Sequence, residues 1–144
     1  WGVFVLNNAF RAMRISASGL AAERMRMDLI SSNIANYNSI KTENTEAYKR
    51  KIAVFEQYLD RNEKGMSKFK GVKVSKIIED NTPSKMVYDP NHPNANGEGF
   101  VETSNVNILN EMADMIMATR AYESNADNFN ANKQMFMKAL EIGK

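Results

Sequence analysis

The sequence predicts a mainly α protein with a small β-rich insert. Long N- and C-terminal helices pair as a coiled coil, with strands and loops between them. Three observations carry this expectation. Both ends of the chain are rich in good helix formers, with apolar residues three and four apart. The middle holds all three prolines (Pro83, Pro90 and Pro93) and four of the seven glycines. Within that middle stretch the apolar residues switch to alternation, the period of a strand. The expected segments are 1–40, 41–104 and 105–144.

The first helical pattern runs from about Ala9 to Tyr37, with Gly19 its single breaker. Met13, Ala17, Leu20, Met27 and Ile34 follow the 4-3 spacing, with Arg24 and Ser31 completing the track. Met25 and Leu29 sit on a second face, so the helix is expected to have more than one packing partner. The turn formers Asn36-Tyr37-Asn38-Ser39 end it. Ser18-Gly19 reads either as a neutral pair or as a point where another backbone comes close.

In the insert, Tyr48, Ile52, Val54 and Tyr58 alternate along one strand face, interrupted by Arg50 and Glu56. Val72, Val74 and Ile78 alternate along a second, and Met86-Val87-Tyr88 is a third short strand. Residues 60–70 read as a charged loop, and 89–94 as loop or turn. The Lys49-Arg50-Lys51 triplet reads as a solvated strand edge, where charge discourages stray pairing.

The last pattern runs from about 105 to 142, without Pro or Gly until Gly143. Ile108, Met112, Met115, Thr119, Tyr122, Ala126, Phe129, Lys133, Phe136 and Leu140 keep the 4-3 spacing throughout, a heptad repeat. Leu109, Ile116 and Met135 widen the stripe. Asn105 or Asn107 is expected to cap its start. A helix of this length spans roughly 50 Å. The asparagines of both helices (Asn33, Asn36, Asn110, Asn125, Asn128, Asn130, Asn132) are mediocre helix formers. They read either as compositional drift or as amides that fix register with neighbouring subunits.

Composition limits the chemistry. With no Cys there is no disulfide framework, cysteine zinc site or thiol nucleophile. A single His rules out a three-histidine zinc site and the HExxH motif. That residue, His92, lies in a Pro- and Asn-rich loop with no nucleophile motif around it, and reads as structural. Gly97-Glu98-Gly99 lacks the phosphate-loop pattern, and 89–98 lacks the calcium-loop pattern. Asp80, Asp89, Glu98 and Glu102 form no carboxylate pair whose spacing means anything in irregular loops. The methionines read as packing rather than as a metal cluster. A net charge of +2 is too balanced for a dedicated nucleic-acid surface. Arg11 and Arg14 precede no apolar run with a small-residue cleavage site.

Two long motifs, in order, resemble one family. Residues 16–36, SASGLAAERMRMDLISSNIAN, resemble the N-terminal signature of bacterial flagellar rod and hook axial proteins, and residues 105–125, NVNILNEMADMIMATRAYESN, resemble the C-terminal one. Between them, GVKV at 71–74 and VYDPNHPNA at 87–95 are similar to proximal rod proteins, as is the closing FMKALEIGK. Asn36-Tyr37-Asn38-Ser39 and Thr103-Ser104 depart from the usual pattern. The resemblance implies a structural subunit of the proximal rod in the periplasm, part of the shaft that carries torque from motor to hook. It implies passage through the flagellar type III export apparatus without a cleaved signal. It places the terminal helices in a tubular core and the insert outside. Implied neighbours are copies of the chain, FlgB, FlgF, FlgG, FliE and the membrane ring, with no cofactor, nucleic acid, small-molecule substrate or catalysis.

The residues expected at the assembly interface are Ala17, Gly19, Leu20, Met27, Ile30, Asn33, Ile34 and Asn36 at the N-terminal end. At the C-terminal end they are Asn105, Val106, Asn107, Met112, Met115, Ile116, Tyr122, Phe129 and Phe136. The physical argument agrees with the resemblance: head-to-tail contacts that do not close generate a helical array and need two different complementary surfaces. The alternative is a stand-alone coiled-coil adaptor or export-associated binding protein.

Overall fold

The computed structural model describes residues 2–61 and 67–142. The elements run α1 (Gly2–Ala35), β1 (Lys51–Arg61), β2 (Ser67–Glu79), β3 (Lys85–Tyr88), β4 (Phe100–Thr103) and α2 (Ile108–Ile142). The mainly α class with a small β insert holds. α1 has 34 residues and α2 has 35, so each spans roughly 50 Å. No helix among the described residues is long and apolar enough to cross a membrane.

Helix ends follow local chemistry. α1 begins at Gly2, well before the Ala9 start that the pattern predicts. It stops at Ala35, where the Asn36 amide reaches back to the Ser32 and Asn33 carbonyls at 3.2 Å. The Asn36 side chain donates to the same Ser32 oxygen at 2.8 Å and so consumes a terminal carbonyl. α2 starts on Asn107, whose Oδ1 accepts the Leu109 and Asn110 amides at 3.1 and 3.4 Å. That is an N-cap. Of the two residues expected to cap this helix, Asn107 does so and Asn105 serves elsewhere. Gly143, the expected stop, lies outside the described residues.

β1 and β2 form a long antiparallel hairpin, from Lys51 opposite Glu79 to Arg61 opposite Ser67, with register shifts between Val54/Phe55 and Tyr58/Leu59. The 60–70 stretch is therefore less of a loop than its charge suggests. Strand pairing continues to Arg61 and resumes at Ser67 because cross-strand bonds satisfy the backbone whatever the side chains carry. Residues 62–66 lie outside the described ones. β3 and β4 form a second two-stranded sheet, and an isolated bridge from Ile40 to Thr103 extends it. The apolar run Met86-Val87-Tyr88 marks β3, whereas β4 has only Phe100 and Val101 ahead of two polar residues and carries no such signal.

α1 is the middle layer, with α2 packed on one side and the β1–β2 hairpin on the other. α1 thus packs on two sides, although Met25, expected on its second face, stays exposed. The helices run antiparallel: Phe10 meets Phe136 edge-to-face at 4.9 Å, Thr119 Oγ1 lies 3.6 Å from Met27 Sδ, and Asn33 meets Glu111 at 2.9 Å.

The heptad reading needs one systematic correction. In α2 the covered series is Glu111, Met115, Ala118, Tyr122, Asn125, Phe129, Asn132, Phe136 and Ala139. Met112, Lys133 and Leu140 are exposed. At Met112, Lys133 and Leu140 the seam thus sits one residue earlier than apolarity indicates, whereas Thr119 and Ala126 are half-buried beside Ala118 and Asn125, and Thr119 reaches Met27. In α1 the same shift replaces Ala17, Arg24 and Ser31, all exposed, by Ser16, Glu23 and Ile30. Apart from Ile30, those positions carry small or polar side chains, which a reading by hydrophobicity passes over.

Candidate assembly interface and its internal clamp

Where α1 ends, the chain builds a buried polar clamp. Asn33 is 1% exposed and faces the backbone of Lys51, donating to its carbonyl and accepting its amide, both at 2.9 Å. A side-chain amide thus mimics a strand partner and ties α1 to the start of β1. The Tyr48 hydroxyl adds a third bond, donated to Asn33 Oδ1 at 3.0 Å. Asn33 also donates to Glu111 Oε2 at 2.9 Å.

Glu111 is wholly buried, and its other oxygen accepts from Arg50 Nε. The Arg50 guanidinium also reaches Asp114 at 3.1 Å and Asp80 at 3.8 Å. A buried carboxylate needs a paired cation and further hydrogen bonds. Glu111 has both. Asn105, 9% exposed, accepts the Arg50 amide at 2.7 Å and donates to the Asp80 and Thr82 carbonyls at 3.1 and 2.9 Å. The clamp therefore joins α1, β1, the turn after β2 and the start of α2.

This corrects the reading of Lys49-Arg50-Lys51 as a solvated edge. Lys49 is exposed, but Arg50 is the hub of the clamp and Lys51 supplies its backbone. Sequence reasoning missed Arg50 and Glu111 as structural partners. The available signal was a carboxylate at an inward helix position, which demands a cation.

A second junction holds the hairpin on α1. Ser18 Oγ donates to the Ile15 carbonyl at 2.6 Å and accepts the Val72 amide at 3.0 Å. Gly71 has φ +128°, and a Cβ there would overlap the Ser18 hydroxyl. One position on, Gly19 faces Asn125 of α2, whose Oδ1 a Cβ would approach to 2.8 Å. Of the two readings of Ser18-Gly19, the close approach of other elements is the one the structure shows.

Nearby carboxyls are tuned by local donors. Hydrogen bonds from the Thr82 hydroxyl and amide, then the Arg50 charge, hold Asp80 below the usual carboxylate range. The Ser84 hydroxyl and then Lys41 do the same for Glu102. His92 Nδ1 accepts the Asn94 amide at 3.1 Å within the 89–99 loop, a structural role. Among the described residues no cluster of His, Asp and Glu could hold a metal ion.

The expected assembly residues fall into three groups. Ile30, Asn33, Asn105 and Val106 are covered by their own chain, and the Asn amides are spent in the clamp. Gly19, Leu20, Met27, Ile34, Asn36, Met115, Tyr122, Phe129 and Phe136 are half-buried, several of them in the helix seam. Ala17 and Asn107 are exposed. Met112 and Ile116 are also exposed, at 53% and 64%, and Leu109 beside them is 74% exposed. At i, i+3 and i+7 these three share one face of α2, an apolar patch with no cover among the described residues.

Two long packed terminal helices thus flank a β insert, and the comparisons give the class of the protein. The family "Flagella basal body rod protein" matches residues 13–39, and "Flagellar basal body rod FlgEFG protein C-terminal" matches 98–142. The flagellar basal-body rod protein FlgC of Bacillus subtilis is 43% identical, over 94% of this chain and 99% of its own. That of Aquifex aeolicus is 40% identical (94% and 97%), and that of Borreliella burgdorferi 38% (92% and 96%). The chain belongs to the FlgC family of flagellar basal-body rod proteins and is a structural rod subunit.

Proposed function

We propose that the chain builds the proximal part of the rod by non-closing, head-to-tail contacts and carries torque from motor to hook. The observation that carries this is the exposed apolar face of Leu109, Met112 and Ile116 near the start of α2. Burying each such side chain contributes about 1.5–3 kcal/mol, enough for a few of them to dominate exposed ion pairs. α1 and α2 form the wall of the tubular core, wound as a coiled coil, and residues 41–104 lie outside it. The half-buried seam residues Leu20, Met27, Tyr122, Phe129 and Phe136 contribute their outer edges. The site is the periplasmic rod, reached through the flagellar type III export apparatus without a cleaved signal. FlgB, FlgF, FlgG, FliE, the membrane ring and further copies are the neighbours.

Photo-crosslinking in cells from probes at Met112 and Ile116 tests this. Crosslinks to rod proteins that vanish when those proteins are deleted support the assignment. Crosslinks confined to the chain itself, or to cytosolic proteins in every strain, overturn it.

A further inference from the structure

β3 is an open edge. The Asp89 amide donates to the Gly99 carbonyl at 2.9 Å, which makes 89/99 a hydrogen-bonded pair. Bonded and non-bonded pairs alternate in an antiparallel ladder, so Val87/Val101 and Lys85/Thr103 are bonded as well. The N–H and C=O groups of Met86 and Tyr88 therefore point away from β4. The far side of β4 agrees, because the Glu102 carbonyl turns outward to the Lys41 amide at 2.9 Å. Among the described residues, none bonds to the outward backbone of Met86 or Tyr88. Met86, Val87 and Tyr88 are 54, 49 and 64% exposed. Such an edge invites another strand.

The strand is complementary to itself. Laid antiparallel about Val87, the run Lys85-Met86-Val87-Tyr88-Asp89 sets Lys85 against Asp89 of a second copy, at both ends. It sets Met86 against Tyr88, a sulfur–aromatic pairing, and Val87 against Val87. The backbone agrees with the side chains. In this register the outward groups of Met86 and Tyr88 bond each other, and Val87 falls at the non-bonded pair on the two-fold axis.

We infer that β3 is a self-recognition edge, and that two free copies of the chain join their β3–β4 sheets into one four-stranded sheet. On the face carrying Met86 and Tyr88, the Tyr88–Phe100 ring contact at 5.2 Å would continue onto the second copy's Met86. Lys85 Nζ already donates to the Val106 carbonyl at 2.7 Å, and Asp89 Oδ1 accepts the Asn91 amide at 3.3 Å. An ammonium has three donors and a carboxylate two oxygens, so both keep capacity for the cross-pair. Four residues a side fall short of the roughly 1,200 Å² of a standard interface, so the dimer is weak and reversible. A two-fold pair closes on itself, whereas a rod with a base and a tip is built from contacts that do not close. On the rod-subunit reading, the dimer is therefore a state of the unassembled chain.

The chain has no cysteine, so engineered thiols report register directly. Val87→Cys places two thiols at a non-bonded pair about 4.5 Å apart between Cα atoms, within disulfide reach. Under mild oxidant, purified full-length Val87→Cys is expected to form disulfide dimers far faster than Met86→Cys, Lys85→Cys or the exposed helix control Ser124→Cys. Lys85→Cys mixed with Asp89→Cys is expected to give the mixed dimer. Reversing either charge (Lys85→Asp or Asp89→Lys) should weaken association about tenfold, and the double reversal should restore it. Crosslinking of Val87→Cys no faster than the Ser124→Cys control overturns the proposal. So does equal crosslinking at Met86 and Val87, which means no fixed register. Both readouts use the purified chain and are independent of whether it enters rods.

Discussion

Arg50 reaches three carboxylates, and one of them, Glu111, has no contact with water. Removing Arg50 strands that charge, which costs about 3–5 kcal/mol. Lys49 is exposed, and its loss should stay within about 0.5 kcal/mol. Urea denaturation of Arg50→Ala and Lys49→Ala is the check, and equal midpoints would refute the clamp. Acid should weaken the same region. Asp80 and Glu102 both have folded-state pKa values below their unfolded ones. Each therefore contributes stability that is fully present above the unfolded value and lost as pH falls through the folded one. The denaturation midpoint should fall on acidification below about pH 4, and an Asp80→Asn/Glu102→Gln variant should fall less steeply. Neither Arg50 nor Glu111 was legible in the sequence as a clamp member. Spacing within a helix is readable locally, but Arg50 and Glu111 are 61 positions apart and meet only after folding.

At the scale of elements, the sequence showed both helices and the first three strands. It misplaced the seam by one residue at Met112, Lys133 and Leu140 of α2 and at Ala17, Arg24 and Ser31 of α1. The reason is chemical. Hydrophobicity selects Met112, and α2 instead turns Glu111 inward to the clamp. It selects Ala126, and Asn125 is the side chain that meets Gly19. Asn125 also donates to the Ala121 carbonyl at 2.9 Å, which fixes its amide beside that glycine. This yields a specific expectation. Replacing an interior helix Gly by Ala ordinarily stabilises by about 0.5–1 kcal/mol. Gly19→Ala should gain nothing, because its methyl would force the Asn125 side chain to move. Gly19→Ala combined with Asn125→Ala should recover the gain beyond Asn125→Ala alone. A thermal-melt cycle over the four variants decides it, and a full gain in the single Gly19→Ala variant would contradict the packing.

For the whole molecule, folding and assembly draw on different surfaces, so substitutions should separate them. The α1–α2 seam and the clamp hold the subunit together. The Leu109, Met112 and Ile116 face does nothing for it, since these side chains stay 74, 53 and 64% exposed. Ile116→Asp should leave the denaturation midpoint within about 0.5 kcal/mol of the parent, as surface substitutions do. Leu109→Asp should be at least neutral, because a carboxylate in the first turn of α2 favours the helix dipole. Both should nonetheless lower rod incorporation, since a charge facing a buried apolar contact is costly without a partner. Phe129→Asp and Met115→Asp sit on covered positions and should lower stability and incorporation together. Lys49→Ala should change neither. Purified-protein stability measured beside incorporation into isolated basal bodies distinguishes the cases. If Ile116→Asp subunits assemble as well as the parent, the exposed face of α2 is not the surface that builds the rod.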